Sequence, residues 1–167
     1  MRSLTTLLLA VYFAASNAHA SKPLDVPEGQ TALMTVAAHG VQVYECKDAS
    51  EKAPSWVFIA PEADLFDANG VRIGRHGAGP FWQHEDGSRI VGTVRGKADA
   101  PQAGNIPWLL LESKQQGSDG VFSRVTSVQR VNTVGGLAPT TGCSVATVGK
   151  RAHIAYRADY VLHVPRS

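Results

Sequence analysis

The feature that most constrains this chain is the steady alternation of short β-rich pieces with glycine-, asparagine- and aspartate-containing turns. The pieces are Ala32–Ala37, Val41–Cys46, Trp56–Ala60, Val71–Gly74, Phe81–His84, Arg89–Val94, Trp108–Glu112, Val121–Val131 and Ala152–Val164. Between them stand His39-Gly40, Asp67-Ala68-Asn69-Gly70, Glu85-Asp86-Gly87-Ser88, Gly117-Ser118-Asp119-Gly120 and Gly135-Gly136. Glycine and asparagine supply the positive φ that hairpin turns require, and Asn69-Gly70 and Asp86-Gly87 are the two strongest hairpin signals. Turns at this spacing, with no window that sustains a 3.6-residue period, predict an all-β domain: an antiparallel β-sandwich or a small β-barrel.

The last piece shows the pattern best. Ile154, Tyr156, Ala158, Tyr160, Leu162 and Val164 share one face of a strand, and His153, Arg157, Asp159 and His163 share the other. That period of two suits a sheet with one wet face. Trp56–Ala60 and Trp108–Leu111 are instead continuous apolar runs, which suit strands covered on both sides. In Val121–Val131 the apolar phase slips, and a β-bulge would explain it. Pro61–Phe66 fits either one helical turn or a strand.

Residues 1–20 read as a secretory signal peptide. A short basic start is followed by an apolar run from Leu4 to Ala15 and by Ala18-His19-Ala20, an Ala-x-Ala cleavage site. The run is too short to span a bilayer, and no other apolar stretch approaches the roughly 18 residues that a span needs. Cleavage after Ala20 would leave no cysteine for lipid attachment, so the expected product is secreted or periplasmic. Residues 21–30, rich in proline and charge, form an extended N-terminal segment, and residues 31–167 form a single β-rich domain. Lys+Arg number 16 against Asp+Glu 14, a balance that gives no basic footprint for nucleic acid. We expect a monomer without a cofactor.

In an exported chain, two cysteines read as a disulfide, here Cys46 with Cys143. The bridge would tie an early strand to a late loop. The chain-entropy treatment assigns a loop of that size about 4–5 kcal/mol. The alternatives are two buried thiols or a nucleophilic cysteine, but neither residue has an activating base near it in sequence.

Several segments, in order, carry a resemblance. They are Gly40–Cys46, Trp56–Ala63, His76-Gly77-Ala78-Gly79-Pro80-Phe81-Trp82, Asp86-Gly87-Ser88, Ile106–Leu111, Val128–Thr133, Gly135–Pro139, Gly142-Cys143 and Ala158-Asp159-Tyr160. The set resembles a family of secreted bacterial and fungal proteins known only as a domain of unknown function, over nearly all of Thr31 to Val164. The resemblance implies one secreted β domain with paired cysteines, and it implies no activity, substrate or catalytic residue. Some members carry a dehydrogenase label. This chain lacks both the Gly-x-Gly-x-x-Gly turn and the βαβ units of a dinucleotide site.

Chemistry-bearing residues concentrate between His76 and Ser88. His76, Trp82, His84 and Asp86 fall there, bounded by the Gly79-Pro80 bend and the Asp86-Gly87 turn. Arg130 joins them as a cation late in a bulged strand. These five residues are the candidate ligand-binding site, because functional groups gather on loops held by a rigid scaffold. Trp82, in a half-polar setting, would offer a stacking face, whereas Trp56 and Trp108 lie in apolar runs and read as core. No metal is expected: His76 and His84 could meet across the bend, but no pair of histidines has tight ligand spacing. Ser88 lies outside any nucleophile elbow. Carboxylate pairs drawn from Glu62, Asp64, Glu85, Asp86 and Glu112 are arbitrary without geometry.

The preferred reading is a non-enzymatic exported domain that binds a small ligand or an envelope or surface component. One alternative is a small secreted hydrolase or isomerase working from a His/Asp/Arg cluster. The other is a structural envelope protein.

Overall fold

The computed structural model describes residues 22–49 and 52–166. The expected leader at residues 1–20 lies outside the described residues. Eight antiparallel strands form one closed barrel in sequence order: β1 Gln30–Ala49, β2 Lys52–Phe66, β3 Arg72–Gly77, β4 Phe81–His84, β5 Arg89–Ala98, β6 Trp108–Gln115, β7 Ser127–Gly135 and β8 Arg151–Pro165. β8 returns to pair with β1 along its length, from Gln30 opposite Pro165 to Glu45 opposite Arg151. Of the two architectures the turn pattern allows, the chain takes the barrel. The β8 alternation holds: Tyr156, Ala158, Tyr160 and Leu162 are buried inside. His163 departs from the expected wet face, being buried on the outside with its Nε2 2.9 Å from Gln129 Oε1.

Among the described residues eight strands stand where the sequence suggests nine pieces; one correction explains the count and a second moves a boundary. His39-Gly40 is no turn, and β1 runs straight through it for 20 residues. A Cβ on Gly40 would lie 2.1 Å from the Glu62 carbonyl oxygen, so glycine is there to let β2 approach. The phase slip in Val121–Val131 marks two elements rather than one bulged strand. Only Ser127 onward is strand; residues 120–125 are tight turns that push Phe122 and Val125 into the core at one end of the barrel. The bulge in β7 lies later, between Val131 and Val134, where Asn132 takes φ 50°. Pro61–Phe66 is strand, paired with β1 throughout and with β3 from Ala63 onward. Asn69-Gly70 and Asp86-Gly87 sit in the predicted hairpins, with Gly70 at φ 76° and Gly87 at φ 92°.

The apolar run of β6 is covered outside by the N-terminal segment. Gln129 Nε2 donates to the Leu24 carbonyl at 2.8 Å, and Pro27 shares a crevice with the buried Leu110. The run of β2 is a different case. β3 pairs with β2 only from Ala63, and β4 reaches β5 only as far as Val91. Above that short hairpin, residues 55–62 of β2 pair with β1 alone and residues 93–98 of β5 with β6 alone. The wall is therefore notched, and Phe58 and Val94 on its two sides are 49% and 50% exposed. Trp56 and Trp108, expected in the core, are only half-buried on the outer surface. Trp56 Nε1 donates to the Thr141 carbonyl at 2.8 Å. Among the described residues no helix is long and apolar enough to cross a membrane.

Cys46 and Cys143 are bridged across a sequence separation of 97. The bridge fastens the loop carrying the short 3-10 turn Val145–Thr147 to the outside of β1. Two backbone bonds repeat the attachment, Cys46 N–H to the Lys150 carbonyl and Gly149 N–H to the Cys46 carbonyl. Replacing both cysteines by serine should lower the unfolding free energy by about 2–5 kcal/mol, read by chemical denaturation. The far-ultraviolet circular dichroism of the folded state should stay unchanged, because the ladder bonds remain.

Candidate functional site

The structure divides the five candidate residues into two groups. His76, Trp82 and Arg130 meet on the wall of one cavity, and His84 and Asp86 stand at the β4–β5 turn.

The first group is built from inward positions of β3, β4, β7 and β8. His76 faces Trp82 across the β3–β4 ladder, and their rings stack with centroids 4.6 Å apart at 23°. Tyr160 of β8 stands tilted against His76 at 4.9 Å and edge-on to Trp82 at 5.3 Å. Gly92 makes the space for the indole, since a Cβ there would come within 2.8 Å of the Trp82 ring. Beyond the bend at Gly79-Pro80, the chain returns the Phe81 carbonyl to 2.7 Å from His76 Nδ1. A carbonyl only accepts, so Nδ1 carries the proton, and Nε2 accepts from the Tyr160 hydroxyl at 3.0 Å. Burial pushes the imidazole down to about 3. The Phe81 carbonyl opposes that shift and the Arg130 charge adds to it. At neutral pH, His76 is an uncharged, doubly hydrogen-bonded core side chain.

Arg130 projects from β7 and spends Nε and Nη2 on one acceptor, the Pro107 carbonyl, at 3.1 and 2.8 Å. Among the described residues it makes no ion pair; those that exist join other residues. Its charge favours the ionised forms of Tyr44, Tyr156 and Tyr160, although burial dominates and raises all three. Tyr44 donates to the Gly136 carbonyl at 2.7 Å. The Tyr156 hydroxyl lies near Gln42 and Tyr160 but completes a hydrogen bond with neither by strict geometry. Gln42 Nε2 and Trp82 Nε1 are likewise buried without a partner among the described residues.

His76, Trp82, Arg130 and Tyr160 border a cavity of about 280 Å³ that opens through the notch. Its other walls are apolar: Phe58, Ile59 and Pro61 of β2, Gly79 and Pro80 of the bend, Val94 of β5, and Leu109 and Leu111 of β6. Tyr160, Phe58 and the two leucines were hidden in sequence among ordinary core positions. The one available signal was the hydroxyl of Tyr156 and of Tyr160 on the inward phase of β8.

The second group is a structural clasp. Asp86 Oδ1 accepts from the Ser88 amide at 2.8 Å and the Ser88 hydroxyl at 2.6 Å, and Oδ2 accepts from the Val121 amide at 2.8 Å. Ser88 Oγ accepts from the Phe122 amide at 3.0 Å. The hairpin turn thereby holds the turn-rich stretch that closes the end of the barrel. Gly120 is required, because a Cβ there would lie 2.3 Å from Asp86 Oδ2. These donors, led by the Ser88 hydroxyl, hold the Asp86 carboxyl well below the usual carboxylate range. His84 Nδ1 stands 3.1 Å from Asp86 Oδ1, and its ring meets the edge of Phe122. Two ladder positions, roughly 7 Å, separate His84 from Trp82 along β4. No acid–base pair with His76 is assembled. Among the described residues no group of three or more His, Cys, Asp or Glu side chains is placed to hold a metal.

Residues 27–164 match a family model described as Protein of unknown function (DUF3455). The chain belongs to that family. It is the uncharacterised family that its ordered segments resemble. No curated protein and no solved structure matches the DUF3455 chain.

Two predictions follow the division of this DUF3455 site. Asp86→Asn should cost about 1–3 kcal/mol of stability, since the amide turns one acceptor into a donor facing the N–H groups of Ser88 and Val121 and removes the charge that strengthens both bonds. Glu85→Gln, on the surface, should cost less than about 1 kcal/mol. The second concerns His76. Between its unfolded value of about 6.5 and its folded value of about 3, the unfolded chain binds a proton that the native state refuses. Stability therefore rises with pH across that window. Between pH 7 and pH 5 the wild type should lose about 2 kcal/mol more than His76→Phe, measured by urea unfolding. Equal losses would refute the neutral, buried imidazole.

Proposed function

We propose that this chain is an exported, non-catalytic barrel that binds a small, mainly apolar molecule in the cavity behind the notch. The observation that carries the reading is the cavity itself: about 280 Å³, walled by aliphatic and aromatic side chains and open to one side through unpaired wall. Its size is near the lower end of ligand sites, which favours a compact molecule. Apolar walls reward burial at roughly 25 cal/mol per Å². Trp82, Tyr160 and His76 are fixed to one another, so their rings give a rigid flank rather than movable chemistry. A general base near neutrality needs a free nitrogen with a suitable pKa. His76 offers neither, and Asp86 and His84 serve the clasp, so the hydrolase or isomerase reading is the weaker one. Export is supported by the leader pattern, and the Cys46–Cys143 bridge fits an oxidising compartment.

A titration with a small neutral naphthalene dye of the prodan type tests the reading. The wild type should take up the dye with a blue-shifted emission. Val94→Trp, a change at a half-exposed rim position, should weaken uptake at least about tenfold while leaving the melting temperature nearly constant. Failure of the wild type to bind the dye, or undiminished uptake by a folded Val94→Trp protein, would count against the cavity and favour a structural role.

A further inference from the structure

Among the described residues, Arg130 is the one charged side chain that lines the cavity. We propose that the occupant is a monoanionic amphipath, a carboxylate on a short apolar body, whose head docks on Arg130; this rests on the reading of the cavity as a binding site. A guanidinium drawn out of water is costly unless a counter-charge or a full set of acceptors meets it. Here two of its nitrogens share a single neutral carbonyl, that of Pro107, and no carboxylate of the described residues pairs with it. The guanidinium carries five N–H donors in a planar fork that matches the two oxygens of a carboxylate. The Pro107 carbonyl uses only part of that fork.

The neighbouring hydroxyls bring no counter-charge. Tyr156 is 3% exposed, and its hydroxyl lies in the field of Arg130 without a completed hydrogen bond among the described residues. The Tyr160 hydroxyl gives its proton to His76 and its oxygen faces Arg130, so the N–H groups that remain for a ligand at that end of the cavity are those of the Arg130 fork. The charge count sets the valence. His76 is neutral, and Phe58, Pro61, Val94, Leu109 and Leu111 are apolar, so the site offers one positive charge. A monoanion balances it, whereas a phosphate dianion would bring a second charge into an apolar wall. The volume accommodates a head with a body of roughly eight carbons at liquid-like filling.

Competition against the dye decides the matter. Octanoate and 1-octanol share one body and differ in the head. The wild type should bind octanoate at least about tenfold more tightly than 1-octanol. In Arg130→Gln, whose amide can still donate to the Pro107 carbonyl, the affinities for octanoate and 1-octanol should fall within about twofold of each other. Arg130→Lys keeps the charge without the fork and should retain a reduced preference. Equal wild-type affinity for the two ligands would overturn the anion assignment and leave the cavity reading intact. So would a preference that survives Arg130→Gln. Tighter binding of octyl phosphate than of octanoate would overturn the carboxylate. If neither the dye nor either octyl ligand binds, the cavity reading falls, and this inference falls with it. Should Arg130→Gln fail to fold, the wild-type comparison of octanoate with 1-octanol still supports or refutes the proposal.

Discussion

The ladder between β1 and β8 is the interaction on which the rest of this structure depends. It joins the first and last strands along fifteen or so residues of each and turns an open meander into a barrel without terminal edges. Closure gives the inward faces of β3, β4, β7 and β8 a common interior. His76, Trp82, Arg130 and Tyr160, far apart in sequence, become neighbours only because β8 has come round to β7 and β1. The same closure accounts for the polar groups inside. Tyr44, Gln42, Tyr156 and Arg130 lie on inward positions near one end, where the interior is wide enough to hold hydroxyls and a cation alongside aliphatic side chains.

Much of the fold was legible because period-two alternation and turn chemistry are local properties. The β8 faces, the Asn69-Gly70 turn and the Asp86-Gly87 turn depend on residues within a few positions of one another. His39-Gly40 misleads for the opposite reason. Its glycine answers to Glu62 on a neighbouring strand, and a glycine needed for close approach looks the same in sequence as one needed for a turn. Val121–Val131 misleads because Phe122 and Val125 are apolar for the sake of the barrel end, not of a sheet face. Trp56 and Trp108 show that an apolar run records how much surface is covered, without recording which side.

The candidate site was legible in part, and the part that was missed has a clear cause. His76, Trp82 and Arg130 stand together, whereas His84 and Asp86, nearer to Trp82 in sequence than Arg130 is, stand apart with the clasp. Proximity along a hairpin follows the strand axis, so a few residues are enough to pass from the cavity to the end of the barrel. Tyr160 escaped notice because an inward tyrosine reads as core, and core is indeed what its ring is. Its hydroxyl, placed between His76 and Arg130, is what sets it apart from an ordinary core position.

The clasp at Asp86 has a consequence for traffic. Phe122 and Val125 are buried in the core beside the clasp, whereas Phe58 and Val94 stand half-exposed at the notch. A molecule held as proposed would come and go past Phe58 and Val94. Its residence time would then be governed by that doorway rather than by the depth of the seat. Affinity and exchange rate would be tuned separately, the one from Arg130, the other from the rim.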